Sequence, residues 1–145
     1  MNGIKKFLDT APIIYFIEKN EYFFDIVKPI FTEAESKKFI LITSVISYLE
    51  TMVPVLGSNN ISLKGKYHYF FYELDFLKVV DIDINTAHLA AKLKSTYNLK
   101  TPDSLQLASA IYNECDEFIT ADKRIPEIKE LLNSIVFMNL LINSS

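Results

Sequence analysis

The chain has 145 residues, half of them apolar, a formal net charge of −3 and one cysteine. That is enough apolar chain for one buried core in a single domain spanning 1–145, and three Gly with five Pro leave little room for long flexible segments. Cys115 has no partner for an internal disulfide, and with only His68 and His88 beside it neither a zinc centre nor a Ser-His or Cys-His hydrolase has the parts it needs.

The mildly acidic total argues against a protein that coats duplex nucleic acid by charge alone. It leaves room for a local basic rim, since positive charge is paired at Lys5-Lys6, Lys37-Lys38, Lys64/Lys66 and Lys123-Arg124. The apolar run at the N-terminus is only Phe7-Leu8 before Asp9, too short for a signal peptide. No run approaches the roughly 20 residues that span a bilayer. The expectation is a soluble, cytoplasmic protein with no membrane segment.

Lys5–Leu8 reads as a first strand, followed by a helix over Pro12–Glu18 with Asp9 or Thr10 as its cap. Helical spacing of Phe23, Ile26, Val27, Ile30 and Ala34 predicts a helix over Tyr22–Ser36, with Pro29 in its middle. Phe39–Thr43 is a β-rich run, after which Ser44 can cap a helix to about Val53, ended by Pro54 and Gly57. Gly57–Ser62 reads as a loop and Lys64–Leu74 as a helix. Leu77–Ile82 predicts a third strand, and Asn85 a cap for a helix over Thr86–Tyr97. Thr101-Pro102-Asp103 opens a helix to about Glu114, apolar nearly all round and therefore central. Glu117–Thr120 is a fourth strand, Pro126–Leu132 a helix and Ile135–Met138 a last strand. Such alternation implies an α/β fold in three layers, a central, mostly parallel sheet flanked by helices.

In that architecture ligands bind at the carboxyl ends of the strands. Asp9 follows the first strand and Asp122 the fourth. Asp103 starts a crossover helix, whose N-terminus lies at the same edge. Glu50 sits in the second turn of the helix after Phe39–Thr43, bordering an apolar face of Ile46, Leu49 and Val53. Each acid alone has a structural explanation as a cap, first-turn acid or turn residue. Together they are costly: two carboxylates ~6 Å apart repel by about 1–3 kcal/mol at intermediate effective dielectric. Some must protonate, or a divalent cation must neutralise them. Carboxylate oxygens suit Mg²⁺ or Mn²⁺, and a water on such an ion can attack a phosphodiester.

Four segments carry a resemblance. Phe7-Leu8-Asp9-Thr10-Ala11-Pro12-Ile13-Ile14-Tyr15 resembles the opening of a PIN domain, and Thr43-Ser44-Val45-Ile46-Ser47-Tyr48-Leu49-Glu50 is similar to that family's second acidic motif. Thr101-Pro102-Asp103-Ser104-Leu105-Gln106-Leu107-Ala108-Ser109-Ala110 resembles the third, and Phe118-Ile119-Thr120-Ala121-Asp122-Lys123-Arg124 the fourth. Size and order look most like VapC-type toxins. The resemblance implies a metal-dependent endoribonuclease in which Asp9, Glu50, Asp103 and Asp122 hold Mg²⁺ or Mn²⁺ and act in catalysis. It implies supporting hydrogen bonds from Thr10 and Thr120, an RNA substrate, a small antitoxin protein and a homodimer. Ser104 stands where the family often has Ala, and 57–76 matches no motif.

Lys123 and Arg124, directly after Asp122, are expected to contact RNA phosphates. In 64–76, Tyr67, Phe70, Phe71 and Leu74 share a core-facing stripe, which leaves Tyr69, Tyr72 and Phe76 for an interface. Two other function classes stay open: a non-catalytic PIN-fold interaction module, and a small phosphatase using Asp81 and Asp83 as a strand-exit DxD pair. Those two acids are more simply solvated or capping residues.

Overall fold

The computed structural model describes residues 3–122 and the backbone of Val136–Asn139. In chain order the elements are β1 (Lys5–Leu8), α1 (Thr10–Ile17), α2 (Phe24–Glu35), β2 (Ile40–Ser44), α3 (Val45–Leu56) and α4 (Ile61–Glu73). They continue with β3 (Leu77–Val80), α5 (Ile84–Tyr97), α6 (Thr101–Tyr112), β4 (Glu117–Thr120) and β5 (Val136–Asn139). The helix expected over Pro126–Leu132 lies outside the described residues.

The strands form one sheet in the order β3-β2-β1-β4-β5, and every neighbouring pair is parallel. Phe7 stands opposite Ile42 on one side and Phe118 on the other, which fixes the register of the three central strands. Side-chain alternation along them then makes two cores. Leu8, Leu41 and Ile119 pack with Ile13, Val27, Phe31, Tyr67 and Phe70 of α1, α2 and α4. Phe7, Ile42 and Phe118 face the other way, onto Ala90 and Leu93 of α5 and Leu107, Ala108 and Ala110 of α6. The Phe7 and Phe118 rings stack at 5.4 Å between centroids. Truncating either to Ala would cost about 3–5 kcal/mol.

Several boundaries differ from the sequence expectation. Pro54 lies inside α3 rather than ending it, and Gly57 is the C-cap. A proline in a last turn forfeits one hydrogen bond, and its exposed side keeps the freed carbonyl near water. Asn60 caps α4 through Leu63 N–H (3.0 Å), so that helix starts inside the expected loop. Asp83, not Asn85, caps α5, accepting from Thr86 N–H at 2.8 Å. That bond holds the Asp83 carboxyl below its ordinary pKa, so one member of the DxD pair is a helix cap and Asp81 is exposed.

The buried face of α3 is also not the one expected. Ser47, Thr51 and Val55 point inward, whereas Leu49 and Val53 are 57% and 64% exposed. The hydroxyls on that face are bonded: Thr51 Oγ1 donates to Ser47 O at 2.9 Å, and Ser47 Oγ accepts from Thr43 Oγ1 of β2 and Gln106 Nε2 of α6, each at 2.8 Å. Phe76 packs against the α1/α2/α4 core instead of joining the exposed Tyr69 and Tyr72. His88 is exposed, and Cys115 is buried beyond the end of α6.

Candidate active site

β1 lies between β2 and β4: the chain steps outward from β1 through β2 to β3, then returns past β1 to β4, and this reversal of strand order opens a crevice at the carboxyl end of β1. Asp9 is the first residue past that end. Its N–H extends the ladder to Ile119 O (2.9 Å), and its carboxylate caps α1 by accepting Thr10 N–H at 2.9 Å on Oδ1. Thr120, the last residue of β4, donates its hydroxyl to Asp9 Oδ2 at 2.8 Å. Gln106 Nε2 of α6 approaches Oδ1 at 3.4 Å. Burial pushes the Asp9 carboxyl above its ordinary pKa; the Thr10 and Thr120 bonds oppose this, and the charge of Asp103 adds to it.

Glu50 reaches the crevice from the second turn of α3 and is exposed to solvent. Its Oε1 accepts the Thr10 hydroxyl at 2.6 Å. Asp103 lies in the first turn of α6, where Pro102 fits and the helix N-terminus favours a negative charge. Asp122 follows β4 by two residues, with its N–H bonded to Thr120 Oγ1 at 3.0 Å.

Asp9, Glu50, Asp103 and Asp122 line one open cleft of about 370 Å³, together with Thr10, Ala11, Tyr15 and Ala121. Among the described residues no lysine or arginine lines it. Lys123 and Arg124 lie outside the described residues. Among the described residues no three His, Cys, Asp or Glu side chains are gathered tightly enough to chelate a bare ion. The donor set is entirely hard oxygen, and the carboxylates are spread around an open wall. That chemistry fits a hydrated Mg²⁺ or Mn²⁺ held partly through its waters.

Sequence reasoning passed over Gln106, Ser47 and Tyr15. Gln106 and Ser47 are buried, and Tyr15 lines the cleft. A signal for the first two existed: each is a polar residue three positions from an acid on the same helix, Gln106 after Asp103 and Ser47 before Glu50. A larger cavity, about 750 Å³, lies elsewhere, between α1, α2 and α4. Its walls are mainly aromatic and aliphatic (Phe16, Phe24, Phe31, Phe70), with Lys19, Lys28 and Lys66 among them. It holds none of the four acids.

Residues 6–131 match the family model of the PIN domain. The chain belongs to the PIN domain family. Solved structures with the same fold include VapBC2 from Rickettsia felis bound to a DNA fragment from its promoter. That match is 17% identical, with a TM-score of 0.73, over 94% of this PIN domain and 98% of that chain. DNA-bound VapBC from Salmonella typhimurium is 17% identical with a TM-score of 0.65, over 94% and 98% of the two chains. VapC20 from Mycobacterium tuberculosis, a sarcin-ricin loop cleaving toxin, is 12% identical with a TM-score of 0.64, over 78% and 86%. No curated protein sequence matches the chain. Among the described residues no helix is long and apolar enough to cross a membrane.

Proposed function

We propose that this PIN domain is a divalent-metal-dependent endoribonuclease, the toxin of a toxin–antitoxin pair. The observation that carries the reading is the cleft itself: four carboxylates from four separate segments line one wall, with no lysine or arginine among its described lining residues. Four acids so placed repel one another, and a divalent cation relieves that repulsion. Asp9, Glu50, Asp103 and Asp122 would hold Mg²⁺ or Mn²⁺. When bound, such an ion supplies a more acidic water and neutralises charge developing on a phosphodiester.

The chain's own part is orientation. Thr120 and the Thr10 N–H hold Asp9 at both oxygens, and the Thr10 hydroxyl holds Glu50. Asp103 and Asp122 flank them from α6 and the β4 exit, so a phosphate backbone lying along the open cleft meets the acids from both sides. Lys123 and Arg124, next in sequence after Asp122, supply positive charge for the RNA track. RNA as substrate and an antitoxin as partner are supported by the family and by the likeness to the VapBC proteins and to the sarcin-ricin loop cleaving toxin VapC20. The antitoxin contact is favoured by the apolar cavity between α1, α2 and α4 and by the exposed Tyr69 and Tyr72 on α4.

The test is Asp103→Asn, which keeps size and shape but removes one charge. RNA cleavage with Mn²⁺ or Mg²⁺, followed beside the thermal melt, should be abolished without loss of fold. A folded variant that cleaves at the wild-type rate removes Asp103 from the reaction. Release of phosphate from a generic ester, without RNA cleavage, would favour a phosphatase; no turnover of either would favour a binding module.

A further inference from the structure

Behind the acidic cleft lies a buried polar cluster that the four acids do not account for. Its centre is Gln106, 1% exposed and flanked in sequence by Leu105 and Leu107. Gln106 Oε1 accepts the Ser44 hydroxyl at 2.5 Å, and Nε2 donates to Ser47 Oγ at 2.8 Å and approaches Asp9 Oδ1 at 3.4 Å. The orientation of this amide is dictated chemically. Ser44 Oγ accepts the Ile46 N–H at 3.0 Å and gives its own proton to Gln106, so Oε1 faces Ser44 and the NH₂ end faces Ser47 and Asp9.

Those bonds join four pieces of chain. Asp9 directly follows β1, Ser44 ends β2 and caps α3, Ser47 lies one turn before Glu50, and Gln106 lies one turn after Asp103. Burying an amide is unfavourable unless both ends are bonded, so this cluster tolerates one arrangement and resists others. An apolar side chain of equal size would fill the space with no such selectivity.

We propose that Gln106 is a positioning residue of the cleft: its buried amide ties Asp9 to Ser44 and Ser47, and so fixes the spacing of Asp9, Glu50 and Asp103. The proposal rests on the metal-nuclease reading above. Gln106 touches no substrate; it acts through the carboxylates, as hydrogen-bonding partners behind metal ligands generally do.

The decisive variant is Gln106→Met, similar in length and volume but unable to make these bonds. Metal-free protein is titrated with Mn²⁺, reading free Mn²⁺ by electron paramagnetic resonance, and kcat and KM for RNA cleavage are measured separately. The expected result is a fall of about tenfold in Mn²⁺ affinity, a lower kcat at unchanged KM and an unchanged circular dichroism spectrum. Ser47→Ala cuts the same link from α3 and should weaken Mn²⁺ binding too, with the double variant no worse than Gln106→Met alone. A folded Gln106→Met protein with Mn²⁺ affinity and kcat within twofold of wild type overturns the proposal, whatever its melting point. If Gln106→Met does not fold, Ser47→Ala decides, and wild-type affinity there overturns it. Asp103→Asn is the control. Weaker Mn²⁺ binding than wild type keeps the metal reading in place, so that failure at Gln106 tells against this proposal only. Equal binding tells against the metal reading and takes this proposal with it.

Discussion

Thr10 donates its hydroxyl to Glu50 Oε1 at 2.6 Å, linking the first residue of α1 to the second turn of α3 across 40 residues of sequence. Glu50 is exposed, so without this bond a long side chain would sample several rotamers in water. The short contact therefore selects one placement of an otherwise mobile carboxylate beside Asp9, which the Thr10 N–H also holds.

Thr10→Val keeps the β-branched shape and removes the donor. Cleavage of RNA should fall by about 10–100-fold. Stability should change by about 1–3 kcal/mol, since the hydroxyl's contacts with Glu50 (2.6 Å) and Ser47 Oγ (3.2 Å) are both lost. Rates and melts of the purified variant check this; a large destabilisation with an undiminished rate per folded molecule would contradict it.

Asp9 yields a pH prediction. Its folded-state pKa is raised above the ordinary 3.8, chiefly by burial. The metal-free folded protein thus binds that proton more tightly than the unfolded chain does. This contribution is fully present below the unfolded value and is lost as pH rises through the raised folded value. Asp9→Asn should accordingly melt above wild type at pH 7 without metal, with the gap closing near pH 3. Added Mn²⁺ should raise the wild-type midpoint more than the variant's. A pH-independent gap would show that Asp9 carries no burial penalty.

Cys115 gives an independent check on the second core. Burial pushes its thiol up to about 12, so the folded protein should resist iodoacetamide at pH 8 and react once denatured. The raised value favours the neutral thiol in the folded state. Its contribution is present below the unfolded pKa of about 8.5 and is lost as pH climbs toward 12. Rapid alkylation of native protein would contradict the packing around β4 and α6.

Tyr69 and Tyr72 are 60% and 62% exposed on α4. If they serve the homodimer that the family resemblance implies, it should appear in mass measurements across a dilution series, and replacing both tyrosines by Ser should raise its dissociation constant at least about tenfold. A monomer at every concentration would leave the two rings to another partner.

The order and type of the strands and helices were legible in the sequence because short apolar runs, helical spacing and caps are local signals. β1 and β4 have the bounds expected for them, Ser44 caps α3, and Asp9 caps α1. The four acids could also be picked out, since each sits at a strand exit or near a helix start. The sequence alone could not decide which face of α3 is buried. Leu49 and Val53 are its obvious apolar stripe, yet Ser47 and Thr51 go inside. Hydrophobicity favours the first choice; hydroxyls satisfied by Thr43 and Gln106 favour the second, and only packed neighbours can tip that balance. The same holds for Gln106, a polar residue in an apolar run until Ser44, Ser47 and Asp9 meet around it. Local patterning names the elements and the acids. Their mutual placement comes from long-range bonds among buried polar groups, whose partners lie 59 to 111 residues apart and leave no periodic trace in the chain.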